Sequence, residues 1–573
     1  MPLHNSDMAA RFNRLANLLE IQGANPFRIR AYRNAARTLE GLPQSAAALL
    51  AEGQDLSELP GIGKDLAGKI REMVETGRLR LLEELQAQVP PGLVELLDLP
   101  GLGPKRVKFL YDHLGVQNLK DLERAVQTGK VSRVAGFGLK TEKHLRQALG
   151  RRAKRELRIR LASAEHIAEP FLRYLRVTPG VTAAVIAGSY RRRKETVGDI
   201  DILVSGQADS PVMERFVAYD EVDRVLAKGT TKSTVLLQSG IQVDLRLVAE
   251  DSYGAALQYF TGSKAHNIAV RTRAVKQGLK INEYGVFKGK TRLAGRTEEE
   301  VYRAVGLPYI EPELRENWGE VEAAEQGRLP ELITLEDLRG DLHVHSKASD
   351  GNVSIEDLAR AAAERGYEYL AITDHTKHVT IAHGLDEKRL ARQIDEIDRL
   401  NATLKGITIL KSAEVDILDD GKLDLPNEIL RQLDLTVCSI HYKFKLSRDK
   451  QTERVIRAMD NPYFTIFAHP SGRMIPKREP YEIDMERLMA AALERGCFLE
   501  VNAQPVRLDL TDVHCKMAKD MGVKVVISTD AHRVTDFDLM RFGVGQGRRG
   551  WLEADDVLNT KPWPALQKLF KRT

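Results

Sequence analysis

The chain has 573 residues, a formal net charge of +5 at pH 7 and 43% hydrophobic residues, so it is too long for one core and predicts three or four domains. No apolar run is long enough to span a bilayer and no charged-then-apolar leader is present, which predicts a cytoplasmic protein without membrane partners. Three widely separated cysteines, Cys438, Cys497 and Cys515, argue against a disulfide framework or a zinc ribbon and agree with a reducing compartment.

Residues 8–87 are predicted to form several amphipathic helices. Their apolar residues recur at helical spacing, at Phe12, Leu15, Leu18 and Leu19 and again at Ile70, Met73 and Leu81. A glycine-containing segment at 59–67 (LPGIGKDLA) recurs at 99–107 (LPGLGPKRV) and more loosely at 134–140 (VAGFGLK). Three copies at a spacing of about 40 residues indicate an internal repeat.

Each copy of this repeat is predicted to be a helix, a tight Gly-x-Gly turn and a second helix. Glycine permits positive φ and close approach of the backbone to a partner, and the second helix begins with free N–H groups that can bind a phosphate. The pattern resembles the helix-hairpin-helix motif, which binds the DNA backbone without reading sequence, and a plain αα-hairpin is the alternative. The candidate DNA-binding residues are Gly61, Gly63, Gly101, Gly103, Lys105 and Arg106.

Positive charge is concentrated in residues 101–160. This region contains sixteen Lys and Arg against five Asp and Glu, a local charge of +11. Such a patch is typical of a surface that binds a polyanion. Its last part, 151–160 (RRAKRELRIR), is predicted to begin the helix that leads into the next domain and to face DNA, with a solvated charged helix as the alternative.

The segment 185–204 (VIAGSYRRRKETVGDIDILV) carries the first candidate active site. Two predicted strands, 183–187 and 200–204, flank its polar loop. Alternate side chains of a strand share a face, so Asp199 and Asp201 should point the same way. Two carboxylates on one face suit a hard cation such as Mg²⁺, and a solvated strand is the alternative.

The start of the same loop suits a phosphate. Gly188 and Ser189 can offer backbone N–H groups and a hydroxyl, beside the basic run 191–194. This layout suits a two-metal displacement on a nucleoside triphosphate. GS followed by GDID resembles the nucleotidyltransferase superfamily, in which a third carboxylate comes from a later neighbouring strand. Asp244, in 241–247 (IQVDLRL), is the matching candidate.

The sequence after Asp244 narrows the resemblance. The block 259–263 (YFTGS), followed by Asn267, Arg271 and 281–284 (INEY), is similar to the family X DNA polymerases, the DNA polymerase beta group. The resemblance extends from Phe27 to about Trp318 and implies an N-terminal helical domain, fingers, palm and thumb in that order.

Several residue roles follow from this resemblance. Asp199 and Asp201 would bind both Mg²⁺ ions, and Asp244 would bind the catalytic ion and help to activate the primer 3′-hydroxyl. The implied nucleotide-binding residues are Gly188, Ser189, Arg192 and Gly198 at the triphosphate, Tyr259, Phe260 and Gly262 at the sugar, and Asn267 near the base. Arg271 would contact the template strand. Tyr259 and Phe260 could instead be core aromatics.

Three positions depart from the family pattern. Gln242 stands where the family often has Arg, and Lys264 where it often has Asp, so the surroundings of the nucleotide differ. Lys69 matches a Schiff-base lysine that removes 5′-deoxyribose phosphate in some relatives, but Asp65 replaces a neighbouring lysine. A lysine nucleophile needs a lowered pKa. A nearby carboxylate works against that, so contact of Lys69 with a DNA phosphate is the alternative.

The last part of the chain is rich in histidine, since nine of the 14 His residues lie beyond Asp341. An acidic, irregular segment, 312–338, is predicted to be a linker. Beyond it, short apolar runs alternate with helical patterns such as 355–365, 387–404 and 485–495. Nine His and acidic residues lie near the ends of the apolar runs: His343, His345, Asp350, His375, Glu414, His441, His469, Asp530 and His532. Ligands at strand ends in a βα alternation predict a barrel with a metal site on one rim.

Imidazole and carboxylate together suit Mn²⁺, Zn²⁺ or Fe²⁺ better than Mg²⁺ alone. The pattern over residues 340–543 resembles the polymerase and histidinol phosphatase (PHP) domain, a seven-stranded βα barrel with up to three metals. The ligand sets implied are His343, His345, Glu414 and Asp530; Glu414, His441 and His469; and Asp350, His375 and His532. Such a cluster activates water and clamps a phosphodiester. In bacterial family X polymerases this domain is associated with Mn²⁺-dependent 3′–5′ exonuclease activity, and in some with 3′-phosphatase or abasic-site cleavage.

Together these features predict a multidomain α/β chain. The expected domains are an N-terminal helical domain of the 8-kDa type with a helix-hairpin-helix (1–87), fingers with a second one (88–150), a nucleotidyltransferase palm with a mixed sheet (151–250), a thumb (251–318), a linker (319–338) and a distorted (β/α)7 PHP barrel (339–573). The expected function is a monomeric DNA polymerase that fills short gaps in gapped or nicked DNA during base excision repair or end joining. It would use deoxynucleoside triphosphates and clean blocked 3′ ends.

Two other functions fit part of the sequence. The chain could be a DNA-end-binding scaffold with weak or no catalysis, but complete acidic and histidine sets argue against that. It could also be a nucleotidyltransferase and phosphoesterase that act on small-molecule phosphates. The hairpin repeats and the basic region 101–160 argue against the second alternative.

Overall fold

The computed structural model describes residues 5–42, 46–51, 53–86, 91–96, 102, 104–134, 137–138, 141–142, 145 and 158–570. The chain divides into two compact units, residues 1–157 and 158–573. Among the described residues, no helix is both long enough and apolar enough to cross a membrane.

The first unit is helical, as the apolar spacing predicts. Its α-helices are Asn5–Ile21, Pro26–Glu40, Ala46–Ala51, Lys64–Thr76, Arg80–Gln86, Pro91–Leu96, Pro104–Leu114 and Leu119–Gln127. The predicted apolar positions lie in its core: Phe12, Leu15, Ile70 and Met73 are fully buried. Leu81 is only half-buried and packs at the edge of that core.

The glycine turns of the repeats lie directly before helices. Gly61 has φ +77°, which favours glycine, and Gly63 immediately precedes the helix Lys64–Thr76. In the second copy, Lys105 and Arg106 lie in the first turn of Pro104–Leu114. Gly101 and Gly103 lie outside the described residues, as do positions 135–136 and 139–140 of the third copy and 151–157 of the basic segment.

The second unit begins with a five-stranded sheet that carries the predicted aspartates. Its first seven strands are β1 (Ile159–Arg160), β2 (Val181–Ile186), β3 (Thr196–Val197), β4 (Asp199–Gly206), β5 (Val222–Lys228), β6 (Lys232–Leu237) and β7 (Gln242–Val248). The five-stranded sheet has the order β2-β4-β7-β6-β5, and β1 pairs with β3. Only β4 and β7 run parallel; the other neighbours in this sheet are antiparallel. Helices Leu161–Arg176 and Val212–Val217 contribute buried apolar residues to its core.

A small three-stranded sheet and several helices follow. The strands β8 (Lys280–Asn282), β9 (Gly285–Lys288) and β10 (Thr291–Ala294) pair antiparallel. The helices are Tyr253–Thr261, Lys264–Lys276, Glu298–Ala304 and Glu320–Glu325. Val270, Val301 and Val321, from three of these helices, share one apolar core.

The segment predicted as an irregular linker is instead folded. It contains the helix Glu320–Glu325, whose Val321 is buried. The acidic residues that suggest an exposed linker are ion-pair and hydrogen-bond partners. Glu320 is fully buried, accepts hydrogen bonds from the backbone N–H groups of Asn317 and Trp318, and contacts the ring of His266. The prediction of an irregular linker was wrong because the charge of an acidic residue does not show whether its side chain is solvated or forms an ion pair in the folded protein.

The rest of the unit alternates parallel strands with helices. The strands are β11 (Gly340–Val344), β12 (Tyr369–Ile372), β13 (Thr408–Lys411), β14 (Glu414–Asp416), β15 (Val437–Ser439), β16 (Ile466–Phe467), β17 (Phe498–Asn502) and β18 (Val525–Ser528). The helices are Ile355–Glu364, Glu387–Thr403, Asn427–Leu430, Arg448–Met459, Met485–Arg495, Asp512–Met521, Met540–Arg549 and Trp563–Phe570. The helical patterns at 355–365, 387–404 and 485–495 are thus confirmed to within one residue.

These strands form two sheets, β11-β12-β13 and β14-β15-β16-β17-β18, with every pairing parallel. Isolated parallel bridges, His375 with Glu414 and Val344 with Ala531, connect the two sheets. This is the connectivity that a closed barrel requires. It brings the carboxyl ends of the strands to one rim, where the predicted ligands follow.

Candidate active sites

The first candidate site lies where β4 and β7 run side by side. Asp201 of β4 is directly opposite Asp244 of β7, and Asp199 lies two residues earlier on the same face as Asp201. The alternate residues Ile200 and Ile202 are buried in the core beneath. The structure therefore brings together all three carboxylates that the sequence identifies, because the parallel register of β4 and β7 places them on one face of the sheet.

Hydrogen bonds orient these carboxylates. The Thr234 hydroxyl donates to Asp244 Oδ1, and the Gln242 amide donates to Asp244 Oδ2 over 3.2 Å. Gln242, the departure from the family pattern, thus contacts the third carboxylate directly. Gly188 lies over Asp201 with φ +61°, and a Cβ at Gly188 would lie 2.3 Å from Asp201 Oδ2. Only glycine therefore fits at this approach of the turn to the carboxylate.

The carboxylates interact strongly. Burial, followed by the charges of Asp199 and Asp244, raises the pKa of Asp201 to about 7. Convergent carboxylates repel one another unless a proton or a cation lies between them. Two or three carboxylate groups, which leave the other coordination positions to water or phosphate oxygens, are the donor set that suits Mg²⁺.

The basic turn beside this site is held by acidic partners. Arg191 pairs with Glu298 at 2.6 Å, and Arg192 Nε donates to Glu316 over 3.0 Å. Arg192 also donates to the carbonyl of Thr261. Among the predicted triphosphate residues, Arg192 is therefore already engaged within the protein.

The other predicted nucleotide residues lie in and beside the same turn and the helix Tyr253–Thr261. Ser189 and Gly198 are half-buried. Tyr259 and Phe260 are half-buried and meet edge to face with centroids 5.1 Å apart. Gly262, with φ +66°, approaches Arg192, since a Cβ there would lie 3.3 Å from Arg192 Nη1. The turn and the YFTGS segment thus meet.

Asn267 and Arg271 differ in exposure. Asn267 is buried, donates to the carbonyl of Tyr259 over 2.7 Å and accepts from Gln258 over 2.8 Å. Asn267 therefore fixes the backbone at Tyr259. Gln258, which the sequence analysis did not identify, holds the Asn267 side chain in place. Arg271 is exposed, with its guanidinium 5.3 Å from the Tyr259 ring.

Lys69 lies on the helix Lys64–Thr76 of the first unit. Its ammonium forms an ion pair of 2.5 Å with Asp65, one helical turn earlier. A lysine that forms a Schiff base needs a free amine, whereas a carboxylate holds the amine of Lys69. Both the lyase role and the contact of Lys69 with DNA stay predictions.

The second candidate site is centred on Glu414, which is 1% exposed at the start of β14. His469 Nε2 lies 3.0 Å and His375 Nδ1 2.8 Å from its carboxylate oxygens. His441 Nε2 lies 3.4 Å away. Several buried imidazoles therefore point at one carboxylate.

The remaining predicted ligands surround this centre. His343 and His345 bring their Nε2 atoms within 3.1 Å of each other, and His345 Nε2 lies 3.2 Å from Asp530. His532 Nε2 lies 3.4 Å from Asp350. The structure thus brings all nine predicted residues into one cluster.

Three groups of ligand atoms, each within 4.8 Å of one another, could hold a metal ion. They are His343, His345 and Asp530; His375, Glu414 and His441; and His345, Asp350, His375 and His532. These groups match the sets implied by resemblance only in part. Glu414 is not in the group with His343, His469 is in none of the three groups, and His345 and His375 each belong to two. Convergent imidazole and carboxylate donors suit Mn²⁺, Zn²⁺ or Fe²⁺.

The close packing of these carboxylate and imidazole groups shifts their pKa values. Although burial opposes it, the histidines around Glu414, with His375 first, hold the pKa of its carboxyl well below the usual range. Burial and the nearby Arg507 guanidinium lower the pKa of His469 to about 4. The imidazole of His375 shifts the other way: although burial opposes it, the carboxylates of Glu414 and Asp350 raise its pKa to about 10. A metal ion binds ionised carboxylate and neutral imidazole, so it would have to displace the proton of His375.

Sequence reasoning missed the residues that orient these ligands. Glu500 contacts His343 Nδ1 at 2.7 Å, and Asp416 contacts His441 Nδ1 at 2.8 Å. Such contacts fix the ring orientation of a ligand. Polar residues inside otherwise apolar strands are the signal that could have found them. Arg507 is 17% exposed and lies 3.6 Å from Asp530.

Comparison with protein families divides the chain in the same way. Matching family models are a helix-hairpin-helix domain over residues 3–79, a SAM-like helix-hairpin-helix tandem over 93–151, the DNA polymerase beta palm over 162–244, the DNA polymerase beta thumb over 256–316 and the PHP domain over 341–503. Both candidate sites fall within these regions, except that Asp530 and His532 lie beyond the PHP match.

Curated relatives agree with these matches. A protein described as DNA polymerase/3′–5′ exonuclease PolX from Bacillus subtilis (strain 168) is 40% identical over 574 residues, which cover 100% of each chain. A probable phosphatase from Thermoanaerobacter sp. (strain X514) is 34% identical over 233 residues, 38% of this chain and 89% of its own length. A similarity over both full lengths, together with palm, thumb and PHP matches, shows that the chain belongs to the family X DNA polymerases that carry a C-terminal PHP domain.

Proposed function

We propose that the chain is a DNA-directed DNA polymerase that fills short gaps during DNA repair, with a second phosphodiesterase site that acts as a 3′–5′ exonuclease. The observation that carries the polymerase assignment is the register of β4 and β7, which sets Asp201 opposite Asp244 with Asp199 on the same face. The basic turn 188–194 lies beside them. Carboxylates next to a phosphate-binding turn are the arrangement that nucleotidyl transfer needs.

In this proposal each part of the first site has one task. Asp199 and Asp201 would hold two Mg²⁺ ions, and Asp244 would share the ion next to the primer 3′-hydroxyl. When bound, Mg²⁺ lowers the barrier by stabilising the attacking and leaving oxygens. The N–H groups of the turn at Gly188 and Ser189 would bind the triphosphate, and the segment at Tyr259 would position the sugar.

The second site would hydrolyse phosphodiesters at 3′ ends. Its nine ligands would hold up to three ions such as Mn²⁺, Zn²⁺ or Fe²⁺, which supply an activated water at neutral pH. Arg507, close to Asp530, has the charge needed to receive a phosphate. Glu500 and Asp416 would keep His343 and His441 in position.

The proposal includes partners and location. Gapped or nicked DNA with blocked 3′ ends would contact the helix-hairpin-helix repeats, including Gly61, Gly63 and Arg106, and deoxynucleoside triphosphates would be the second substrate. We propose a cytoplasmic monomer, with the domain bounds 1–87, 88–150, 151–250, 251–318 and 339–573.

One set of assays with the purified chain tests this assignment. We expect extension of a primer across a one-nucleotide gap with Mg²⁺, and shortening of the same primer with Mn²⁺ and no nucleotide. Binding of gapped DNA should weaken steeply as salt rises, because phosphate contacts release counterions. Tight DNA binding with neither reaction would favour a scaffold. Salt-insensitive binding with turnover of small phosphate esters would favour small-molecule substrates.

We also expect the Mg²⁺ requirement of extension to depend on pH. The pKa of Asp201 is about 7, so its carboxyl is increasingly protonated below pH 7 and Mg²⁺ must displace the proton. The Mg²⁺ concentration for half-maximal extension should therefore rise as pH falls below 7 and level off above about pH 8. Assays across this range measure it. A requirement that is the same on both sides of pH 7 contradicts the prediction.

A further inference from the structure

The helix Met540–Arg549 of the histidine-rich domain reaches the basic turn of the polymerase site. Its last residue, Arg549, is 1% exposed. Arg549 Nη1 donates to the backbone carbonyl of Arg192 over 2.7 Å and to Glu316 over 3.1 Å. Its other two nitrogens donate to Asp512 over 2.5 and 3.0 Å. One buried guanidinium therefore joins a residue of the histidine-rich domain to the turn.

Glycines allow this helix to lie close to both neighbours. A Cβ at Gly543 would lie 2.6 Å from Ile527 and 2.8 Å from Ala503, so this face is pressed against the strands of the barrel. Gly545 lies on another face, and a Cβ there would be 3.6 Å from the Cβ of Arg193. The helix is thus packed between the barrel and the turn, which fixes the position of Arg549.

A second contact holds the other end of the turn. Arg473 donates to Glu195 over 2.7 Å and to the carbonyl of Arg507 over 2.8 Å. Its side chain is 9% exposed. The segment from Arg192 to Glu195 is therefore attached to the histidine-rich domain at both ends, through the backbone carbonyl of Arg192 and the side chain of Glu195.

Glu316 is shared between Arg192 and Arg549. Its side chain is 12% exposed and pairs with Arg192 at 3.0 Å and Arg549 at 3.1 Å. Although burial opposes it, the charges of Arg549, Lys194 and Arg192 lower the pKa of Glu316. A carboxylate shared by two guanidinium groups holds each less tightly than it would hold one, because part of its charge is already compensated.

We propose that Arg549 is a positioning residue for nucleotide binding: it fixes the turn through the Arg192 carbonyl and, by sharing Glu316, weakens the hold of that carboxylate on the Arg192 guanidinium, so that the triphosphate can compete for it. The C-terminal domain thereby completes the nucleotide site of the polymerase. This inference rests on the polymerase function proposed above. Loss of Arg549 would leave Glu316 to hold Arg192 alone and would loosen the turn.

Substitution of Arg549 tests this. For R549M in the full chain, we expect the KM for the incoming nucleotide in single-nucleotide gap filling to rise about tenfold with kcat reduced less than about threefold, since lost ground-state binding raises KM. R549K keeps the charge but not the planar fork, so its KM should rise about threefold. Exonuclease rates should stay within about twofold of wild type, because Arg549 contacts none of the nine ligands.

Two further variants separate positioning from general stability. R548M is the matched control, because Arg548 also joins this helix to a preceding domain, through Glu313 at 2.9 Å, but does not touch Arg192. Its KM should stay within about twofold of wild type. Adding E316Q to R549M should lower the KM at least about threefold, because the neutral amide releases Arg192.

The outcomes are distinct. A KM for R549M or R549K equal to that of R548M overturns the inference, as does an E316Q change that fails to lower the KM of R549M. If R549M does not fold in thermal melting, R549K decides alone. A wild-type chain that inserts no nucleotide refutes the polymerase function itself, whereas normal insertion with an unchanged KM in R549K refutes only the role of Arg549.

Discussion

Replacement of Asp201 with asparagine is expected to abolish gap filling while leaving the exonuclease intact. Asp201 is opposite Asp244 and on the same face as Asp199, and burial, followed by the charges of these two residues, raises its pKa to about 7. Asparagine removes the charge that holds both proposed Mg²⁺ ions but preserves the shape of the side chain. We therefore expect the rate of gap filling by D201N to fall about a thousandfold, which corresponds to a loss of about 4 kcal/mol of transition-state stabilisation.

The measurement is primer extension with Mg²⁺ beside primer shortening with Mn²⁺ on the same preparation. Asp209→Asn is the matched control, because Asp209 is an exposed acid of the same domain. We expect D209N to retain both activities. Extension by D201N above about a tenth of the wild-type rate would falsify the assignment of the metal site, and parallel loss of both activities would contradict two separate sites.

The converse result is expected for the histidine-rich site. Substitutions H343A and D530N each remove a buried ligand, so the remaining imidazole and carboxylate groups would bind the metal ions with fewer donor atoms. We expect the exonuclease rate to fall at least about a hundredfold, since even residues behind the ligands are worth tenfold to a hundredfold. Gap filling should remain within about twofold of wild type, because neither residue contacts the turn that bears Arg192.

Metal analysis provides the second measurement. The wild-type chain should retain tightly bound transition metal after gel filtration, and H343A and D530N should retain at least one ion fewer per chain. Asp555→Asn is the control, because the Asp555 side chain lies in the same domain but is 95% exposed. Exonuclease activity that survives in both ligand variants would place the hydrolytic site elsewhere.

Much of both sites could be predicted from local sequence. The alternation around Asp199 and Asp201 fixes a strand with both carboxylates on one face, because side chains of a strand alternate. The nine His and acidic residues were found for a similar reason, since each follows a short apolar run and parallel strands end at one rim. The residues behind them, Glu500 and Asp416, were missed although each is a polar residue inside an apolar strand, because that signal does not say which ligand such a residue contacts.

The domain contacts could not be predicted. Glu316 and Glu320 lie in an acidic segment that has the composition of a linker, yet their partners include Arg192, His266 and Arg549. Arg549 is 233 residues from Glu316 along the chain. Nothing in the local pattern of either residue indicates the other.

The sequence by itself determined which carboxylates and imidazoles should lie together in each proposed site, because ligand type, strand alternation and turn chemistry are local properties of the chain. Only the tertiary structure decided that the predicted linker is folded, that Arg192 shares Glu316 with Arg549, and that the last domain of unit 158–573 packs against the nucleotide turn. The physical reason is that the sequence does not distinguish a charged side chain that is solvated from one that is buried in an ion pair. The partner of a buried charge depends on how distant segments of the chain pack together.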